Sequence, residues 1–147
     1  MATQLRVLFL CTHNSARSQM AEGWLRRLAG DRHEVHSAGT EASHVQPLAI
    51  RAMAEVGVDI SGHESKTRDR YLNQLWDYVI TVCDAANASC PMFSGGRRRL
   101  HWPFPDPSQA AGNEDEQLAV YRQVRDAIRT RIETLVESEN EALGRTC

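Results

Sequence analysis

The chain has almost none of the features that would place it on a membrane or a nucleic acid. Its 17 Lys and Arg residues nearly cancel its 19 Asp and Glu residues, leaving a formal net charge of -2 over 147 residues. That balance offers no field for a polyanion or an acidic bilayer. The one basic cluster, Arg97–Arg98–Arg99 behind Gly95–Gly96, is short and reads as a solvated turn. No apolar run could span a bilayer, since the first, Leu5–Cys11, is already broken by Arg6. A basic leader with a cleavage site is missing as well, so the expected location is the cytosol. Aromatics are sparse at 6%, and there are only four cysteines. In a reducing compartment, cysteines are catalytic, metal-binding or inert core residues far more often than staples. There are no repeats, low-complexity tracts or linkers, and the length suits one domain with its own core.

What remains is a regular alternation of strand and helix. Leu5–Cys11 reads as a buried parallel strand. Met20, Ala21, Trp24, Leu25 and Leu28 then recur at helical spacing up to Gly30. Glu34–Ser37 is a short second strand. Pro47 opens a second helix through Leu48, Ala52, Met53 and Val56, stopping at Gly57. Asp77–Cys83 is a third strand, and RRRLHW, 97–102, a fourth. PFPDP, 103–107, is an extended or turning loop. Leu118, Tyr121, Val124, Ile128, Ile132 and Leu135 mark a long helix to about residue 137, and the polar stretch 138–147 is expected to be a flexible tail. The pattern predicts an α/β three-layer sandwich around a central four-stranded parallel sheet, one domain over 1–137. In such sheets ligands sit at the carboxyl ends of the strands, where Cys11 and Cys83 both fall.

Residues 11–18, CTHNSARS, carry the chemistry. A strand that passes through a tight polar loop into a helix makes an anion site, because the loop's N–H groups form a nest and the helix start adds partial positive charge. Arg17 supplies a forked donor for a tetrahedral oxyanion. Cys11, first in the loop, lies in a field that favours its thiolate, and Ser18 is placed to donate a hydrogen bond to the sulfur. Thr12, His13, Asn14, Ser15, Ala16, Arg17 and Ser18 are the expected oxyanion-binding residues, with His13 as suited to shaping the loop as to chemistry.

This loop resembles the C-x5-R-S loop of low-molecular-weight protein tyrosine phosphatases. It is closer still to the thioredoxin-coupled arsenate reductases built on that fold, in which C-T-x-N-S-x-R-S runs on into Q-M-A-E. The likeness extends through SAGT at 37–40, DISGHESK at 59–66, VITVCD at 79–84, SCP at 89–91 and HWPFPDP at 101–107. A phosphatase of this family carries a pair of tyrosines after its D-P, whereas Ser108 and Gln109 stand here.

The resemblance implies an arsenate reductase, with a low-molecular-weight phosphatase as the alternative. Cys11 would be the nucleophile, Arg17 would hold arsenate (or phosphate), and Asp106 would be the general acid. Cys83 and Cys90 would resolve the reaction and thioredoxin would regenerate the enzyme. The spacing of Cys83 and Cys90 adds a condition: seven residues of α-helix rise about 10.5 Å, too far for a disulfide. A helix between them would have to unwind on oxidation. Read without the resemblance, the same two cysteines suit inert core thiols or, less well, half of a zinc site. Some reductases of the family bind potassium beside the loop. Asn14, Glu22 and Ser37 match contributing positions, but Lys66 stands where a further carboxylate is needed. An ammonium in the cation's place implies no potassium dependence. No metal or cofactor is expected, Cys147 is expected to be a bystander, and a monomer is expected.

Overall fold

A computed structural model describes residues 4–71, 73–82 and 96–144. Four strands, β1 (Leu5–Cys11), β2 (His33–Gly39), β3 (Trp76–Thr81) and β4 (Gly96–His101), form one parallel sheet in the order β2-β1-β3-β4. β1 lies in the middle because its run Val7–Cys11 is apolar on both faces, and all five residues are buried. Cys11 pairs in register with Gly39, the last residue of β2. Both strands therefore end at the same rim.

Among the described residues, three α-helices accompany the sheet: α1 (Arg17–Ala29), α2 (Pro47–Ala54) and α3 (Glu114–Gly144). Met20, Ala21, Trp24 and Leu25 of α1 join Leu118, Tyr121, Val124, Ile128 and Ile132 of α3 in the core. Trp24 adds a directional tie, its indole N–H donating to the Arg125 carbonyl at 3.0 Å. This is the α/β arrangement expected from the alternation of strands and helices.

The polar end of the chain departs from expectation. α3 does not stop near residue 137 but runs to Gly144. His33, at the start of β2, meets the Glu139 carboxylate at 2.9 Å, and Arg32 donates to the Asn140 side chain at 2.6 Å. The polar stretch is thus pinned through residue 140 by groups more than a hundred positions away. Cys83 and Cys90, and the helix expected between them, lie outside the described residues, as does Cys147.

Candidate active site

The loop from Cys11 to Ala16 joins β1 to α1 at the carboxyl rim, and every one of its carbonyls is held from outside. The Cys11 carbonyl accepts from the Thr40 N–H at 3.2 Å, and Thr12 from the Glu41 N–H at 2.9 Å. His13 accepts from the Ser65 hydroxyl at 2.8 Å, and Asn14 from the Gln19 side-chain amide at 3.0 Å. Ser15 accepts from Gln46 N–H and Ala16 from Met20 N–H. In a trans peptide the C=O and the following N–H point in opposite directions. Carbonyls drawn outward therefore turn the successive N–H groups inward. Among the described residues, the backbone N–H groups of His13, Asn14, Ser15, Ala16 and Arg17 donate to no protein acceptor. The start of α1 adds to this field, because Ala16 provides no side-chain cap. The result is a nest of N–H groups, a geometry that suits an anion.

Asn14 makes the turn possible. It has φ +50°, the left-handed region that Asn tolerates better than most residues, and it is fully buried. Its Oδ1 accepts from Gln19 Nε2 at 2.9 Å and from the Lys66 N–H at 2.8 Å, while its Nδ2 donates to Ser18 Oγ at 2.9 Å. Ser18 thus meets the loop through Asn14, which leaves the hydroxyl's own proton for a second partner.

Cys11 is buried at the head of the loop. Arg17 is nearly buried, with Nη1 donating to the Phe104 carbonyl at 3.1 Å and Nη2 lying 3.5 Å from the Asp106 carboxylate. The guanidinium therefore ties the PFPDP loop to the anion nest and brings Asp106 to the same rim. The other carboxylate oxygen of Asp106 caps the turn Pro107–Gln109, accepting from Ser108 N–H at 3.0 Å and Ser108 Oγ at 2.7 Å. His13 is half exposed at the mouth, 3.5 Å from Glu41. Trp102, which follows β4, is buried against Phe9.

Beside the loop lies a buried polar cluster. Lys66, the only lysine among the 17 Lys and Arg residues, is 8% exposed. Its ammonium donates to the Glu64 carbonyl at 2.8 Å and lies 3.9 Å from Glu22. Burial pushes its pKa down, and the carboxylates of Glu22 and Glu64 oppose that. Glu22 also accepts a hydrogen bond from the Ser37 hydroxyl and pairs with Arg26 at 2.8 Å. The residues present do not suit a potassium ion: Asn14 Oδ1 already accepts two hydrogen bonds, the Ser37 hydroxyl is turned to Glu22, and an ammonium stands nearby. Among the described residues, no group of three or more His, Cys, Asp or Glu side chains could hold a metal ion.

The family model for low molecular weight phosphotyrosine protein phosphatase matches residues 6–145. The chain belongs to that family. Within it, the chain is 48% identical over 132 residues to an arsenate reductase of Halalkalibacterium halodurans, covering 90% of this chain and 95% of the relative. A solved arsenate reductase in its phosphate-binding state superposes with a TM-score of 0.80 at 35% identity, covering 92% of this chain and 98% of that one. A thioredoxin-dependent arsenate reductase of Corynebacterium glutamicum superposes with a TM-score of 0.71 at 31% identity, covering 97% of this chain and 65% of that one.

The expected family loop is therefore present, with Cys11, Arg17 and Asp106 brought to one rim. Gln19, Ser65, Gln46 and Gly39, which brace it, had no role assigned from the sequence. Their stretches match the family, but nothing in the sequence shows that a glutamine two residues past Arg17 turns back to a loop carbonyl.

Proposed function

We propose that the protein reduces arsenate to arsenite. The observation that carries this reading is the inward N–H nest around a buried Cys11 with Arg17 beside it, in a chain similar over nine-tenths of its length to proteins named arsenate reductases. The field of the nest and of the α1 start favours the Cys11 thiolate and the bound oxyanion alike. The thiolate attacks arsenic, and an oxygen leaves as water, protonated by Asp106 as general acid. Cys83 then attacks Cys11 sulfur. The S–As bonding pair passes to arsenic, arsenite departs, and a Cys11–Cys83 disulfide remains. Cys90 attacks Cys83 in turn, freeing Cys11 and leaving Cys83–Cys90.

Thioredoxin reduces that last bond with its own dithiol, a partner supported by the name of the Corynebacterium glutamicum relative. Arsenate and phosphate share charge and shape, so the loop binds both and the discrimination is chemical: arsenic(V) accepts two electrons from thiols and phosphorus(V) does not. Slow cleavage of aryl phosphates fits the shared first step. The enzyme acts as a cytosolic monomer, and no helix among the described residues is long and apolar enough to cross a membrane.

The test is arsenite release with thioredoxin, thioredoxin reductase and NADPH. Wild type should turn over, Cys11→Ser should be inactive, and Asp106→Asn should lose on the order of 10²-fold in rate. An active Cys11→Ser would refute the reading.

A further inference from the structure

Among the described residues, four of the six loop carbonyls are held by backbone N–H groups, but those of His13 and Asn14 are held by side chains alone. Each belongs to a peptide unit whose N–H, on Asn14 and Ser15 respectively, faces into the nest. Both side chains converge on one short segment, 63–66. Ser65 itself donates to the His13 carbonyl at 2.8 Å, while its Oγ accepts from Ser43 N–H at 2.8 Å. Gln19 is fully buried in the first turn of α1, and its amide nitrogen meets three acceptors: the Asn14 carbonyl at 3.0 Å, Asn14 Oδ1 at 2.9 Å and the Glu64 carbonyl at 3.0 Å.

Three oxygen partners fix which end of the Gln19 amide is nitrogen. The remaining Oε1 must accept, and His63 Nδ1 donates to it at 2.9 Å. The His63 Nε2 is then an acceptor, and the Arg26 guanidinium donates to it at 3.2 Å. Every polar atom of Gln19 is satisfied, so the amide has one orientation. That orientation also holds Asn14 in its left-handed conformation, which is costly for a residue with a side chain.

We propose that Gln19 and Ser65 are positioning residues for the oxyanion. They touch no substrate. By holding two carbonyls outward, they aim the Asn14 and Ser15 N–H groups at the bound anion, and segment 63–66 is the brace on which they rest. This inference rests on the oxyanion reading of the loop and goes beyond it, because neither residue lies in the C-x5-R-S motif. Without its side-chain donor, either peptide unit is free to rotate and carry its N–H off the anion.

The test uses inorganic phosphate as the probe, measured by titration calorimetry on the full chain, alongside steady-state arsenate reduction. Gln19→Met keeps the length and loses the donors; Ser65→Ala removes one hydroxyl at a half-buried site. Phosphate Kd should rise about tenfold in Gln19→Met and about threefold in Ser65→Ala, the scale of one hydrogen bond to a charged group. Arsenate KM should rise with Kd while kcat stays within about twofold, and Ser65→Thr, which keeps the hydroxyl, should restore both. A merely structural role would lower the Tm and leave Kd and KM of the folded protein unchanged. Wild-type Kd in both variants overturns the inference. A wild type that ignores phosphate overturns the oxyanion reading and this inference with it. Weakened variants in a protein that never releases arsenite would overturn only the proposed reaction.

Discussion

Gly39 sits where a methyl group has no room. A Cβ built there would lie 2.6 Å from the Thr12 carbonyl oxygen and 2.8 Å from Asn14 N, both backbone atoms of the anion loop. The loop and the end of β2 can pack this closely only because residue 39 has no side chain. Gly39→Ala should push the loop outward and misalign its N–H groups. The expected outcome is a phosphate Kd raised at least about tenfold with the fold intact, checked by calorimetry and circular dichroism. Unchanged binding would mean that the loop tolerates the shift. Lys66 makes a second residue-level case. Its ammonium lies 3.9 Å from Glu22 in the buried polar cluster, the place the family resemblance proposed for a potassium ion. Exchanging potassium for sodium at constant ionic strength should leave arsenate turnover unchanged. A clear stimulation by potassium would contradict this placement of Lys66.

At the scale of elements, the last turns of α3 show how a polar sequence is held in place. His33 is buried with Nδ1 2.8 Å from the Ala29 carbonyl and Nε2 2.9 Å from Glu139. Both ring nitrogens face acceptors, an arrangement that suits the imidazolium. Burial is the largest influence and lowers the His33 pKa, as does the nearby Arg32. The hydrogen bonds to Glu139 and Ala29, with the Glu139 charge, outweigh them, and the net shift is upward. A raised folded-state pKa means that this contribution is complete below the unfolded value of about 6.5 and fades as pH rises through the folded value. Wild type should therefore exceed Glu139→Gln in Tm by about 2–4 °C at pH 6, the equivalent of ~1 kcal/mol in a chain of this size. The margin should shrink as the pH is raised into the alkaline range. Thermal melts across pH check it, and a margin that grows with pH would contradict the assignment.

This element also marks where the sequence stopped being legible. β1 was readable because its run Val7–Cys11 is apolar without alternation, which has one meaning in a parallel sheet, and Pro47 marked the start of α2 because proline suits the first helical turn. Residues 138–144 carry no apolar periodicity. Their helix is fastened through residue 140 by His33 and Arg32, contacts that local patterning cannot contain.

At the scale of the whole molecule, the site is assembled from distant stretches. The loop comes from residues 11–16, its braces from Gln19, from 39–46 and from 63–66, and Asp106 from the turn after β4. The motif residues Cys11 and Arg17 were legible because strand, polar loop and helix agree around them, and Asp106 because its prolines fit the family pattern. The braces were not, since a glutamine or a serine takes on a positioning role only when folding brings a loop carbonyl to it. The topology gathers these pieces by ending β1 and β2 in register at Cys11 and Gly39, the rim where parallel sheets collect ligands.

The central claim, that Cys11, Cys83 and Cys90 act in sequence on arsenate, is tested most directly by one comparison. Arsenite release is followed with thioredoxin, thioredoxin reductase and NADPH for wild type and Cys90→Ser, and the stalled variant is digested and analysed by mass spectrometry. Wild type should turn over repeatedly, while Cys90→Ser should release one arsenite per chain and accumulate a Cys11–Cys83 disulfide. Sustained turnover by Cys90→Ser, or a wild type that releases no arsenite yet cleaves an aryl phosphate without Cys83 and Cys90, would contradict the relay.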